Sequence, residues 1–442
     1  MEASPRQGTD NEAPAARRSL LQNDRFRRFA IAKTLQLSGQ NALVYGLFIA
    51  YVTKQDSYIA GSAFVLASVL PSVLLSLPGG IVADRLPNKL VIIGVMVVRI
   101  AIVARFFGSG LSLESVIALT FLIFTAYQFF TPAENEAVVT LTRPEDNPGA
   151  LAWLQALSLL AQVAGAGIIA PLAIDLLGTD GLFAIVTLLF VISGVLYWLS
   201  PRLTPQRAVD AYRLSWWSSL PAGYRAIRSD RLVMQVTVLR VLNDTAMLMV
   251  LVAAPKFITD ALDSSPENAI YIASPAAIGL ALGLMVAAPL SRIVSARILT
   301  PLGYGFFVAV LCCLPFIEQI SGPMLDALSW WDQVRSTAGL SPEIATTLLL
   351  LPFAGFGISV VQVSSRAAVY ARISPGLLGQ VLATQSALGS LAAVVPTFLA
   401  GALLDVLPVE VFLTALAAAA IAAAVFGYAG AGQLPQREQP PG

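Results

Sequence analysis

The sequence predicts an all-α membrane protein that crosses the bilayer twelve times, in two pseudo-symmetric halves of six helices. Three observations carry that prediction. Of the 442 residues, 57% are hydrophobic and only 12% charged, with a mean hydropathy of +0.75. Soluble domains carry about 25% charged residues, so hydrocarbon around the protein explains the deficit better than a very large core does. Apolar runs of spanning length, about 20 residues each, recur along the chain. Basic residues concentrate in alternate connections between those runs, which is the bias that orients helices in a bilayer.

The same composition excludes whole classes of chemistry. There is no histidine, which removes His-based triads, His metal sites and imidazole relays. The two cysteines, Cys312 and Cys313, are neighbours inside an apolar run and read as small apolar fillers rather than a disulfide framework. A net charge of +1 gives no electrostatic case for nucleic acid. No cofactor and no metal are expected.

Taken in order, residues 1–30 form a cytoplasmic tail, polar and disordered up to Arg18. No apolar core with a cleavage site follows, so it is not a secretory signal peptide. Spans are expected near 31–51, 58–82, 90–107, 116–140, 149–177 and 182–200, which make an N-terminal half over 31–200. A basic linker over 201–231 carries Trp216-Trp217 beside Arg213, the pattern of an amphipathic helix on the inner membrane surface. Spans near 232–255, 269–290, 298–317, 343–370, 377–404 and 409–430 make a C-terminal half over 232–430, and 431–442 is a second cytoplasmic tail. The outer segment 318–342, with Trp330-Trp331, is expected to be interfacial.

With the N-terminus inside, the inner segments hold most of the 27 basic residues. The outer ones hold only Lys54, Arg105, Lys256 and Arg335, and three more lie within spans. The expectation is a multi-pass protein of the plasma (inner) membrane with both termini cytoplasmic. The halves also resemble each other. Setting Glu136 on Arg366 aligns Ala137 with Ala367, Gly149 with Gly379, Gln155 with Gln385 and Asp175 with Asp405, without a gap. They are read as parallel repeats about an axis along the membrane normal.

The most informative stretch is Gly80-Ile81-Val82-Ala83-Asp84-Arg85-Leu86-Pro87-Asn88-Lys89, a charged turn wedged between two apolar runs. Its Gly-x-x-x-Asp-Arg-x-x-x-Lys spacing resembles the signature loop between helices 2 and 3 of the major facilitator superfamily of secondary transporters. The entry Leu21-Gln22-Asn23-Asp24-Arg25-Phe26-Arg27-Arg28, together with Phe130-Thr131-Pro132-Ala133 and Arg143-Pro144-Glu145, resembles one branch of bacterial exporters, which includes the enterobactin exporter and macrolide efflux proteins. The chain departs from the family in Pro87-Asn88, where Gly and a basic residue are usual. The helix-5 antiporter signature is reduced to Gly165-Ala166-Gly167-Ile168-Ile169-Ala170-Pro171, and the helix-4 Arg of many proton-coupled exporters is absent.

The resemblance implies a fold in which spans 1, 4, 7 and 10 line a central cavity. It also implies that Gly80, Asp84, Arg85 and Lys89 form a conformational latch. Gly80 would allow close helix approach, and Asp84 would face the positive N-terminal end of the eleventh span near Gly376–Gly379. Arg85 and Lys89 would hold neighbouring acids or lipid phosphate.

Six ionised residues fall within spans: Arg99, Glu134, Glu136, Arg240, Asp244 and Arg366. Each costs about 2.5–3.5 kcal/mol at mid-bilayer, so each needs a partner or a function, and all but Arg99 fall on spans 4, 7 and 10. Glu134 and Glu136 point about 200° apart on a helix. Phasing from Gln128 turns Glu136 towards the cavity, and the repeat sets it opposite Arg366 for a salt bridge between the halves. Asp244, midway along span 7 with Arg240 one turn earlier, is the expected proton-coupling carboxylate. Gln40 and Asn41, with Gln36 and Ser38, are either substrate contacts or helix-packing hydrogen bonds.

The functional expectation is a monomeric, proton-coupled exporter of a hydrophobic or amphipathic small molecule. One alternative is a metabolite importer of the same fold. The other is a polytopic enzyme or sensor, which would need a catalytic cluster or soluble domain that the sequence does not show.

Overall fold

The computed structural model describes residues 23–55, 57–141, 147–200, 216–265 and 269–431. All regular elements among them are helical. Helix α1 (Asp24–Leu47) starts at Asn23, whose side chain accepts from the N–H groups of Arg25 and Phe26. The same side chain donates to the Leu141 carbonyl at 3.1 Å, so one residue caps α1 and ties its start to a neighbouring helix end. A π-helical turn, Phe48–Val52, extends α1. Then come α2 (Tyr58–Arg85), α3 (Asn88–Phe106), α4 (Leu113–Leu141) and α5 (Asn147–Gln162).

The weakened helix-5 motif has a structural consequence. α5 runs through a π-helical stretch, Val163–Ile169, into α6 (Ala170–Leu199). Pro171 lacks the N–H that would continue the ordinary ladder, and a π-turn beside it is one way to absorb the loss. A side chain on Gly165 would collide with the Ser38 carbonyl of α1, so the small residues there let two helices touch. α6 itself breaks at Gly178, with φ 68° and ψ −169°, a conformation open to glycine alone. The rod therefore crosses the membrane once up to Leu177 and again after the break.

The second half contains α7 (Trp216–Ser229), α8 (Arg231–Asp260), α9 (Ala269–Leu290), α10 (Ala296–Cys313), α11 (Ile317–Ala327), α12 (Ser329–Ala338), α13 (Pro342–Arg372), α14 (Pro375–Leu404) and α15 (Val409–Ala431). With the α5–α6 rod counted twice, and α7, α11 and α12 set aside, there are twelve passes. Eight described segments are long and apolar enough to cross a membrane by themselves, and Leu157–Leu199 among them holds two passes. α1, α3 and α9 complete the set. α1 turns its polar side inward, with Gln36 and Gln40 buried, and α3 carries three cations, Lys89, Arg99 and Arg105.

Two large apolar cores result. One gathers α1, α3, α4 and α6 around Phe29, Phe130, Phe183 and Phe190. The other gathers α8, α10, α13, α14 and α15 around Phe257, Phe307 and Phe412. Val65 of α2 is buried in the second core, so α2 serves as a shared wall. α9 and α13 meet closely, because Gly279 lies against the Pro352 carbonyl and Gly355 against that of Ala276.

α7 is part of the helical bundle. It packs on α8 and α14, with Ile227 fully buried beside Val233, Val369 and Val381 and Gly223 against Thr384. Among its described residues, Ala226 and Ile227 face protein. The side chains of Trp216 and Trp217 lie outside the described residues. On the opposite end of the bundle, Trp331 donates to the Ala345 carbonyl at 3.1 Å while Trp330 is exposed.

Candidate functional site

The sequence-predicted residues separate into two charged groups, one in each half. In the first, Lys33 of α1 pairs with Glu134 of α4 at 2.5 Å, and Tyr197 of α6 donates to the other Glu134 oxygen at 2.9 Å. Glu134 is 1% exposed. Phe29 and Phe130 meet Tyr197 edge-on, with centroids 5.4 and 5.7 Å away.

One layer on, Arg99 is fully buried and donates to the Gln40 side-chain oxygen, which also accepts from Gln36 at 3.2 Å. Its guanidinium lies over the rings of Tyr127 and Phe190, at 5.5 and 5.3 Å, a cation–π arrangement that substitutes for a carboxylate. Gln40 therefore faces the interior of its own half. Asn41, one residue on, donates to the Leu37 carbonyl at 2.8 Å and is partly exposed.

Sequence reasoning left Lys33 among the loop cations, because it stands near Arg25, Arg27 and Arg28. In the structure it is a largely buried partner of Glu134. The side chain of Glu136 lies outside the described residues.

The second group is built differently. Arg240 and Asp244, one turn apart on α8, meet at 3.7 Å, well beyond the roughly 2.7–2.9 Å of a tight charge-assisted hydrogen bond. They line a cavity of about 360 Å³ between the halves, with Ser68, Ser72, Ser386 and Ser390 on its walls and Phe124 of α4 at its side. Arg366 of α13 is exposed and close enough to act electrostatically on both Arg240 and Asp244.

The serines were not found from the sequence. Their only signal is spacing, Ser68 with Ser72 and Ser386 with Ser390, each pair one helical turn apart. Serine is common in membrane helices, where it bonds back to its own backbone, as Ser68 does to the Val65 carbonyl at 2.6 Å.

The two halves meet along α2 and α14, which run antiparallel. Asp405 accepts from the Ser57 hydroxyl and from the Tyr58 N–H, both at 2.6 Å, so an acid from one half caps a helix of the other. The Ser62 hydroxyl donates to the Thr397 carbonyl at 2.9 Å, and a side chain on Gly401 would strike Ser62. The Ser72 hydroxyl donates to that of Ser390 at 2.9 Å, at the rim of the cavity. At the other end of the bundle, Lys89 donates to the Ser200 carbonyl at 2.7 Å and lies 5.7 Å from the Trp198 ring. It thus ties α3 to the end of α6. The side chains of Asp84 and Arg85, and the surroundings of Gly80, Gly376 and Gly379, lie outside what is described.

The fold is shared with solved transporter structures. The chain is similar to the nucleoside transporter NupG (TM-score 0.67, 12% identity, 93% of this chain and 100% of that one). It is also similar to a bacterial homologue of the human lysosomal transporter Spinster in an inward-facing, unoccupied conformation (TM-score 0.65, 13% identity, 93% and 97%). A third is a bacterial homologue of the iron transporter ferroportin in an outward-facing state (TM-score 0.59, 15% identity, 93% and 99%). At these identities the likeness concerns the fold. No curated protein matches the chain. Residues 31–331 match the family model described as Major Facilitator Superfamily. The chain therefore belongs to the major facilitator superfamily and is a secondary membrane transporter rather than an enzyme.

Proposed function

We propose that the protein is a proton-coupled exporter of a hydrophobic or amphipathic small molecule, acting as a monomer in the plasma (inner) membrane with both termini cytoplasmic. The carrying observation is the loose Arg240–Asp244 pair beside a cavity at the seam between the halves. A carboxylate held there can exchange its guanidinium partner for a proton as the halves rock, which links protonation to conformation. The biased placement of Lys and Arg supports the orientation. The motifs shared with the enterobactin-exporter and macrolide-efflux branch support export. On this reading the tails 1–30 and 431–442 and the linker 201–231 are cytoplasmic, flanking halves at 31–200 and 232–430.

Gly80, Asp84, Arg85 and Lys89 form the inner latch. The pairs 57/405, 62/397 and 72/390 keep a nearly constant antiparallel register between α2 and α14. Continued to the far end, that register brings Asp84 opposite the first turns of α14, where a helix N-terminus favours an anion. The same pair of helices would then carry an acid-on-N-terminus latch at each end. Asp405 on α2 holds the outer end closed, and Asp84 on α14 closes the inner end after the halves rock.

The test uses inverted membrane vesicles, an imposed pH gradient with the interior acid, and a fluorescent compound chosen because it raises the Tm of the purified protein. Wild type is expected to accumulate the compound. Asp244→Asn is expected to abolish accumulation while gradient-free exchange persists. Accumulation by Asp244→Asn at the wild-type rate would overturn the coupling role. Uptake confined to right-side-out vesicles would favour the importer reading.

A further inference from the structure

A second cavity lies on the outside of the C-terminal half. There α10 and α15 run antiparallel and are pinned at two levels. The Tyr304 hydroxyl donates to the Ala420 carbonyl at 3.0 Å, and the Tyr428 hydroxyl to the Arg297 carbonyl at 3.4 Å. Between the two helices is a groove of about 450 Å³, floored by Leu239 of α8. Small residues open it. A side chain on Gly305 would meet nothing within 4 Å, and Ala424 lines the facing wall. Both tyrosine hydroxyls of the wall are spent on backbone carbonyls, and the other lining side chains are apolar, so a polar solute finds no free side-chain donor.

The chemistry changes at the mouth. On α10 the wall residues Pro301, Gly305 and Val308 follow Arg297 by four, eight and eleven positions, so one stripe of the helix leads from the guanidinium into the groove. Arg297 is exposed and forms no ion pair among the described residues. No acid occurs between Asn268 and Ile317, and the acid of α15, Glu410, stands at the opposite end of that helix from Tyr428. From Arg297 to Val308 the rise is about 16 Å at 1.5 Å per residue. That is close to half of the roughly 30 Å hydrocarbon thickness. The groove thus spans one leaflet, with an unpaired cation at headgroup level.

We propose that this groove is a binding site for an anionic phospholipid, with one acyl chain against Gly305 and Ala424 and the phosphate on Arg297. The apolar wall takes the chain, and the lone cation selects the headgroup by charge. Leu239 directly precedes Arg240, so the bound chain backs the helix that carries the Arg240–Asp244 pair. Binding there is independent of the transported solute and of how transport is coupled.

The experiment is a thermal-shift titration of the purified full chain in neutral detergent. The probes are dioleoylphosphatidylglycerol, dioleoylphosphatidylcholine and glycerol 3-phosphate, and native mass spectra count bound lipids and protein copies. Phosphatidylglycerol should raise the Tm saturably, with an affinity about fivefold above that of phosphatidylcholine, the scale of one basic residue at a charged membrane surface. Glycerol 3-phosphate, a headgroup without a chain, should give no shift. Arg297→Gln should make the two lipids equal. Gly305→Leu fills the groove and should weaken both by about tenfold or more, since several chain methylenes lose their contacts. Leu302→Phe, on an exposed neighbouring face of α10, should leave both affinities unchanged. Where Gly305→Leu does not fold, Ala424→Leu fills the same groove from α15.

Equal affinity for the two lipids in the wild type would overturn the proposal. So would a preference that survives Arg297→Gln, unchanged affinity in a folded groove-filling variant, or a shift with glycerol 3-phosphate equal to that with the lipid. A dimer that Gly305→Leu dissociates would assign the groove to a second copy of the chain instead.

Discussion

The two halves carry ionised side chains in the membrane under opposite conditions. In the N-terminal half, Lys33, Glu134 and Tyr197 form a closed triad, with Glu134 1% exposed, and Arg99 is enclosed by two rings and Gln40. In the C-terminal half, Arg240 and Asp244 meet at only 3.7 Å and open onto a cavity of about 360 Å³. A buried network enclosed by aromatic rings braces helices. A loose pair at a cavity can change partners. The difference teaches that charge inside a membrane span does not by itself mark a transport site; its access to space does.

The contrast breaks most visibly at the acids. Glu134→Ala leaves Lys33 buried without its carboxylate, and removing one partner of a buried pair costs about 3–5 kcal/mol. A large fall in Tm is expected. Asp244→Asn should keep a near wild-type Tm, because its site already has room for water, while losing gradient-driven accumulation. Differential scanning fluorimetry of the two variants side by side checks this, and equal losses of stability would erase the distinction.

The proposed link between the halves gives the next largest effect. Glu136→Arg and Arg366→Glu should each cut transport severely, and the double swap should restore part of it. Harmless single variants with a failed swap would remove the bridge from the account.

The outer seam sharpens the comparison further, since it is polar yet belongs to neither group. Asp405→Ala removes a cap and two hydrogen bonds on α2, a loss of about 1–2 kcal/mol, or roughly tenfold in a two-state balance. Spin-label distances across the Ser57 end should show a larger open population. An unchanged distance distribution would deny Asp405 its latch role. Ser72→Ala gives the smallest effect. It loses a neutral hydrogen bond to Ser390, worth about 0.5–1.5 kcal/mol, and should alter transport rate by a few-fold at most.

Much of this was legible in the sequence, for physical reasons that vary by residue. The twelve passes were readable because a bilayer imposes length and hydropathy together. Arg240, Asp244 and Arg366 stood out because ionised groups inside apolar runs are expensive. Lys33 was hidden by the basic residues before it, since a cation at the edge of a span looks like a loop charge until a distant acid is known to reach it. Asp405 was hidden likewise, as the last residue before a turn. The cavity serines were illegible because a hydroxyl that bonds to its own helix and one that faces a solute share the same sequence pattern. Their roles depend on how α2 and α14 meet, which is a long-range fact.

The central claim is that the C-terminal pair faces accessible space while the N-terminal network is sealed. Its most direct test compares two serine-to-cysteine variants in a background where Cys312 and Cys313 are replaced by alanine. Ser386→Cys lies on the cavity wall, and Ser193→Cys replaces a fully buried hydroxyl bonded to the Ala32 carbonyl at 2.8 Å. Labelling by a membrane-impermeant maleimide, on protein in nanodiscs, gives the two rates. Ser386→Cys should react faster by about a hundredfold or more, because reaching Ser193 requires local unfolding. Equal rates, or faster labelling at Ser193→Cys, would contradict the account.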